Sequence, residues 1–145
     1  MSVLQLSVFA ENKPGALIEM TRLLGEAGVN IRALSLADTA DFGILRLIAD
    51  DPEKAGRVLT DHGYVVRITP VICAEMPDEP GALAHILLTL ERAGINIEYT
   101  YAFIARHAEN AYVVLSVSDC RAAETTLAAA GVGLLTADAA KFGAS

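Results

Sequence analysis

The chain alternates short apolar runs with amphipathic stretches, and turn residues fall at regular points between them. Val3 to Ala10 is apolar and β-prone and runs into Glu11-Asn12-Lys13-Pro14-Gly15, which predicts a strand and a turn. Pro14 is expected to open a helix at its first position, where a missing N–H costs nothing. Leu17, Met20, Leu24 and Ala27 recur at helical spacing, with Glu19, Arg22 and Glu26 on another face. Gly28 follows as a left-handed cap. Ile31 to Ala37 and Phe42 to Ala49 are apolar runs around Asp38-Thr39-Ala40-Asp41, which predicts a hairpin. Asp51-Pro52-Glu53 has the cap, proline and acid of a helix start. Gly63 ends that helix, and Tyr64 to Thr69 predicts a short last strand. The order β-α-β-β-α-β is the ferredoxin-like one.

The pattern then repeats. Asn12-Lys13-Pro14-Gly15-Ala16-Leu17 is answered by Asp78-Glu79-Pro80-Gly81-Ala82-Leu83, and Ala27-Gly28-Val29-Asn30-Ile31 by Ala93-Gly94-Ile95-Asn96-Ile97. Both pairs lie 66 positions apart. Asp51 and Gly63 match Asp119 and Gly131 at 68, so the second hairpin turn, through His107, is two residues longer. The second copy should carry a strand over 70–75, a helix over 80–93 and hairpin strands over 95–104 and 111–117. The chain is therefore expected to be α+β, with two tandem ferredoxin-like βαββαβ domains at 1–69 and 70–138 and a tail at 139–145. Each would have an antiparallel sheet with its helices on one face. A repeat this long is too large for a solenoid unit.

Composition narrows the function. The 145 residues are 53% hydrophobic, and no apolar run approaches the ~18 residues of a membrane helix. The N-terminus has no signal-peptide pattern, so a cytoplasmic protein is expected, away from membranes. The net charge is −7 and the 11 basic residues are scattered, which argues against nucleic acid. Cys73 and Cys120 sit in no redox or zinc spacing and are read as small buried hydrophobes. His62, His85 and His107 form no metal-ligand spacing. No nucleophile elbow, phosphate loop or dinucleotide fingerprint is present. No catalytic residue, metal or cofactor is expected. Cys120 could favour a thiolate at a helix start, but its match in the first copy is Pro52.

The helix start that occurs twice remains. A helix N-terminus offers unpaired N–H groups and positive dipole, which attract a carboxylate. Gly15 and Gly81 let a ligand approach the backbone. Asn30 and Asn96 each carry donors and an acceptor, suited to a zwitterion. Turn and cap roles also explain these residues, though they explain the repeated Asn less well.

At these motifs, over about 135 residues, the chain resembles the ACT domain family. The resemblance implies a stand-alone tandem pair of regulatory modules that binds an amino acid between the two domains. Lys13, Pro14, Ala16, Leu17 and Ile31, with Pro80, Ala82, Leu83 and Ile97, would surround the ligand. Asn12 and Gly15 would face Asn96, while Asp78 and Gly81 would face Asn30. Asp78 and Glu79 replace Asn12 and Lys13, so the second site suits a carboxylate less well. The alternative is an accessory interaction subunit without a ligand of its own. A regulated enzyme is a further possible partner. Leu87 and Leu88 replace Thr21 and Arg22, which suggests a homodimer contact through the second copy's first helix.

Overall fold

The computed structural model describes residues 3–11, 13–38, 42–104 and 110–136. The elements are β1 (Val3–Glu11), α1 (Ala16–Glu26), β2 (Ile31–Asp38), β3 (Phe42–Ala49), α2 (Pro52–Asp61), β4 (Val65–Pro77), α3 (Ala82–Arg92), β5 (Ile97–Ile104), β6 (Asn110–Val117) and α4 (Cys120–Ala129). They divide into two compact units. The first is Leu4–Thr69; the second runs from Pro70 onward and takes in Val3. Both are α+β and ferredoxin-like.

In the first unit β3 is antiparallel to both β1 and β2. Alternate residues of the strands turn inward: Leu6 and Val8 of β1 join Leu45 and Leu47 of β3. Onto them pack Met20, Leu23 and Leu24 of α1 and Ala55 and Leu59 of α2. The second unit repeats the scheme with β6 between β4 and β5. Ile72, Ala74, Val113 and Leu115 meet Ile86 and Leu90 of α3 and Ala123 and Leu127 of α4. Both hairpins shift register at the same repeat position, between Ile31 and Ala33 and between Ile97 and Tyr99.

Each helix ends alike, and the sequence shows why. Leu24-x-x-x-Gly28-Val29 recurs around Gly63, Gly94 and Gly131, all with positive φ. The amides of Val29, Tyr64, Ile95 and Val132 reach back to the carbonyls of Leu24, Leu59, Leu90 and Leu127 at 2.9–3.1 Å. These are Schellman ends, each with an apolar residue folded back onto a core leucine.

Three expectations are corrected. Pro14 does not open α1. Lys13-Pro14-Gly15-Ala16 is a type II turn, with Pro14 second, Gly15 third at φ 89°, and Ala16 N–H bonded to Lys13 O at 3.3 Å. Glu79-Pro80-Gly81-Ala82 makes the same turn, so α3 starts at Ala82 rather than Pro80. Pro70 does not separate two strands, because β4 runs through it from Val65 to Pro77. Proline's φ suits an extended chain wherever its missing N–H is not needed. The second copy's last strand shrinks to a bridge between Leu134 and Ala74. Glu75 N–H to Gly133 O and Leu135 N–H to Cys73 O, both 2.8 Å, are its hydrogen bonds. The expected turns through residues 39–41 and His107, and the tail, lie outside the described residues.

Candidate functional site

The four helices start in two ways. At α2 and α4 the Asp51 and Asp119 carboxylates accept the amides of Lys54 and Ala122 at 3.1 Å. At α1 and α3 the preceding residue is a left-handed glycine, and among the described residues no side chain caps either helix. The uncapped starts are the ones inside the repeated motif. The first amides of a helix have no intrahelical partner, so these two starts keep donors for something else.

Each uncapped start lines a cavity within its own unit. In the first, about 440 Å³ lies among Lys13, Pro14, Gly15 and Ala16, with Phe9 and Glu19 beside them and the Gly63-Tyr64-Val65 turn opposite. In the second, about 510 Å³ lies among Glu79, Pro80, Gly81 and Ala82, with Glu75, His85 and the Gly131-Val132-Gly133 turn. Every residue of the first wall has its repeat partner in the second, which adds Ile86 and Ala130. They differ in chemistry: Lys13, Glu19 and Tyr64 stand where the second unit has Glu79, His85 and Val132. Burial raises the Tyr64 phenol's pKa, helped by a hydrogen bond to Glu19. Lys13 Nζ lies 3.3 Å from Glu11 and is exposed. Gly133 leaves room for Glu75: a Cβ there would meet Glu75 Oε2 at 3.0 Å.

The expected site residues separate into groups. Lys13, Pro14, Gly15 and Ala16 share the first cavity, and Pro80, Gly81 and Ala82 the second. Leu17 lines a smaller notch of about 130 Å³ with Met20, Leu36 and Gly43. Leu83 packs on the second core, as does Ile97, while Ile31 packs on the first. Asp78 is exposed, and Asn12 lies outside the described residues. Asn30 and Asn96 sit past the opposite end of α1 and α3, with exposed side chains. Their main chains are tied down: Asn30 N–H donates to Asp50 Oδ1 at 3.0 Å, and Asn96 N–H to Ser118 Oγ at 3.3 Å. No unit by itself brings its Asn to its own turn. The turns at Gly63 and Gly131 form the wall that sequence reasoning missed. Their glycines were legible as helix ends, but nothing in the chain says which loop an end will face.

Burial raises both thiols, Cys73 to about 12. Cys120 is raised first by burial, then by Glu124, Asp119 and Glu98, which removes the thiolate considered for it. Leu87 packs on the second core, so only Leu88 adds exposed apolar surface to α3. Among the described residues, no cluster could hold a metal ion and no helix is long and apolar enough to cross a membrane.

The sequence profile of the ACT domain pair matches residues 1–134. Protein BT0572 from Bacteroides thetaiotaomicron is similar in structure, with a TM-score of 0.90 and 42% identity over 97% of this chain and 96% of that one. The regulatory subunit of aspartate kinase from Thermus thermophilus, in its ligand-free form, shares the fold at TM-score 0.69. It is 16% identical over 90% of this chain and 92% of its own. The corresponding subunit from Thermus flavus gives a TM-score of 0.63 at 15% identity, over 90% and 94%. No curated protein matches.

Proposed function

Since this chain belongs to the ACT domain pair family, we propose that it is a non-catalytic regulatory protein that binds a small amino acid. One observation carries the reading. The two helices that lack a side-chain cap both begin at the repeated Pro-Gly turn, and both open on a cavity. Main-chain donors at a helix start suit the ligand's carboxylate. The exposed amides of Asn30 and Asn96 are the candidates for the ligand's remaining polar groups. The pairing of Asn12 with Asn96 and of Asp78 with Asn30, implied by the family resemblance, belongs to this proposal. So does a regulated enzyme as partner, which the likeness to aspartate kinase regulatory subunits supports.

A panel of amino acids in thermal-shift and calorimetric titrations tests the reading. A binder at a hundredfold excess over its Kd adds ~2.7 kcal/mol of stability. One or a few amino acids should raise the melting temperature. If none does at millimolar concentration, the protein is an accessory interaction subunit instead.

A further inference from the structure

The first unit's turn is flanked by two unlike openings. The smaller notch lies on its hairpin side, with Leu36 from β2, Gly43 from β3 and Ala10 from β1. The larger cavity lies on the other side, against Tyr64 and Val65. Ala10, Glu11, Lys13 and Ala16 line both, so the two openings meet at the Lys13–Ala16 turn. Their remaining walls differ in chemistry. The cavity adds the polar side chains of Glu19 and Tyr64. Among the described residues the notch adds only Leu17, Met20, Leu36 and Gly43. A polar opening and an apolar one, on either side of the same helix-start amides, fit a molecule with a charged head and a hydrocarbon side chain.

Size and polarity narrow the side chain. The notch, at about 130 Å³, is smaller than the apolar cavity of about 150 Å³ that admits benzene, so a short aliphatic group fits and a benzyl group does not. A hydroxyl or a charge set among Leu17, Met20 and Leu36 would lose water without gaining a partner from those side chains. Gly43 keeps the floor open: a Cβ there would stand 3.4 Å from Leu36 Cδ1. The second unit is built differently at these positions. Ala111 stands where the first has Gly43, Ala102 replaces Leu36, and Leu83, the match of Leu17, packs on the core. Only the first unit joins an open glycine floor to a leucine wall. We infer that the amino acid bound at the first turn is a branched aliphatic one, of the valine and leucine class. Its side chain fills the notch between Leu17, Met20, Leu36 and Gly43 while its charged groups face the turn. This deepens the amino-acid reading and rests on it.

Calorimetry of the full chain with L-valine, L-leucine, L-alanine, L-serine, L-aspartate, L-lysine and L-phenylalanine tests the inference. A buried methylene is worth roughly fourfold in affinity, so valine or leucine should bind at least about tenfold more tightly than any of the others. Gly15→Val should abolish that binding, which assigns it to the first turn. Gly43→Ala installs the second unit's residue in the floor and should weaken leucine by about fivefold or more, with an unchanged circular dichroism spectrum. If that variant misfolds, Leu36→Asn, at a half-exposed position, should weaken leucine by a similar factor. Serine, aspartate, lysine or phenylalanine as the tightest ligand, lost in Gly15→Val, would overturn the inference and leave the amino-acid reading standing. Leucine binding unchanged by both Gly43→Ala and Leu36→Asn would do the same. Leucine binding that survives Gly15→Val would take the ligand away from this turn and overturn the inference. No binding by any of the panel at millimolar concentration would overturn the inference and the reading together.

Discussion

Gly15 and Gly81 hold φ values of 89° and 87°, yet a Cβ built on either meets nothing within 4 Å. Their requirement is conformational, because an L-residue in the left-handed region costs roughly 1–2 kcal/mol. Gly15→Ala should lower stability by about that amount, read by denaturant titration, and a loss near zero would mean that the turn relaxes. Gly15→Val adds bulk where the ligand is proposed to meet the helix amides. It should fold, less stably than the alanine variant, and lose the thermal shift with amino acid; normal binding would move the ligand away from this turn. Cys73 shows the opposite case, in which burial rather than backbone decides. Its thiol is pushed up from 9.0 to about 12. The folded state therefore holds a proton that the unfolded state releases above pH 9. The associated stability is intact below that pH and falls by about 1.4 kcal/mol per unit as pH rises towards 12. Denaturant titrations between pH 8 and pH 11 should show a shallower alkaline loss for Cys73→Ala than for the wild type, whatever the variant's starting stability. Parallel curves would show that the thiol does not titrate differently on unfolding.

At the scale of elements, the helix ends hold the most repeated sequence information. The leucine, the glycine four places later and the apolar residue after it recur at all four ends, and each sets a Schellman closure. The helix starts follow two codes, and Asp51 and Asp119 mark the capped kind. Asp51→Ala should cost ~1 kcal/mol by removing the acceptor for Lys54 N–H. Asp119→Ala should cost a similar amount at Ala122 N–H, and thermal melts that show no loss would mean another group caps these starts. Such local codes were legible because each is settled within a few residues. Pro-Gly was misread for the same reason: it suits a type II turn as well as a helix opening, and the left-handed φ of Gly15 and Gly81 decides for the turn. The expected break between strands 64–69 and 70–75 is absent because Pro70 sits in an extended strand, where its fixed φ is no obstacle. The shrunken last strand had a single local sign. Val132-Gly133-Leu134 stands where the first copy has Tyr64-Val65-Val66, and the second glycine removes a β-favouring side chain.

For the whole molecule, duplication is what made a candidate site legible, since one Pro-Gly turn means little and two in register suggest a shared task. What stayed hidden is the other wall of each cavity, built by a turn some fifty residues away, whose placement depends on packing rather than on pattern. Duplication also allows the two cavities to diverge, and their charges now differ. The first has Lys13 at its turn; the second has Glu79 there, with Glu75 nearby. A carboxylate at a helix start is helped by a neighbouring cation and opposed by a neighbouring anion. At about 4 Å in water one such charge contributes about 1 kcal/mol, or roughly fivefold in affinity. Once an amino acid that binds is known, calorimetry should resolve a tighter site at the first turn. Lys13→Glu should weaken that site several-fold, and Glu79→Lys should strengthen the second by a similar factor. Asn12→Ala should weaken binding more than Asp78→Ala, with both proteins folded. Charge exchange at residues 13 and 79 that leaves both affinities unchanged would place the carboxylate elsewhere. Equal losses at residues 12 and 78 would remove the ranking of the two turns.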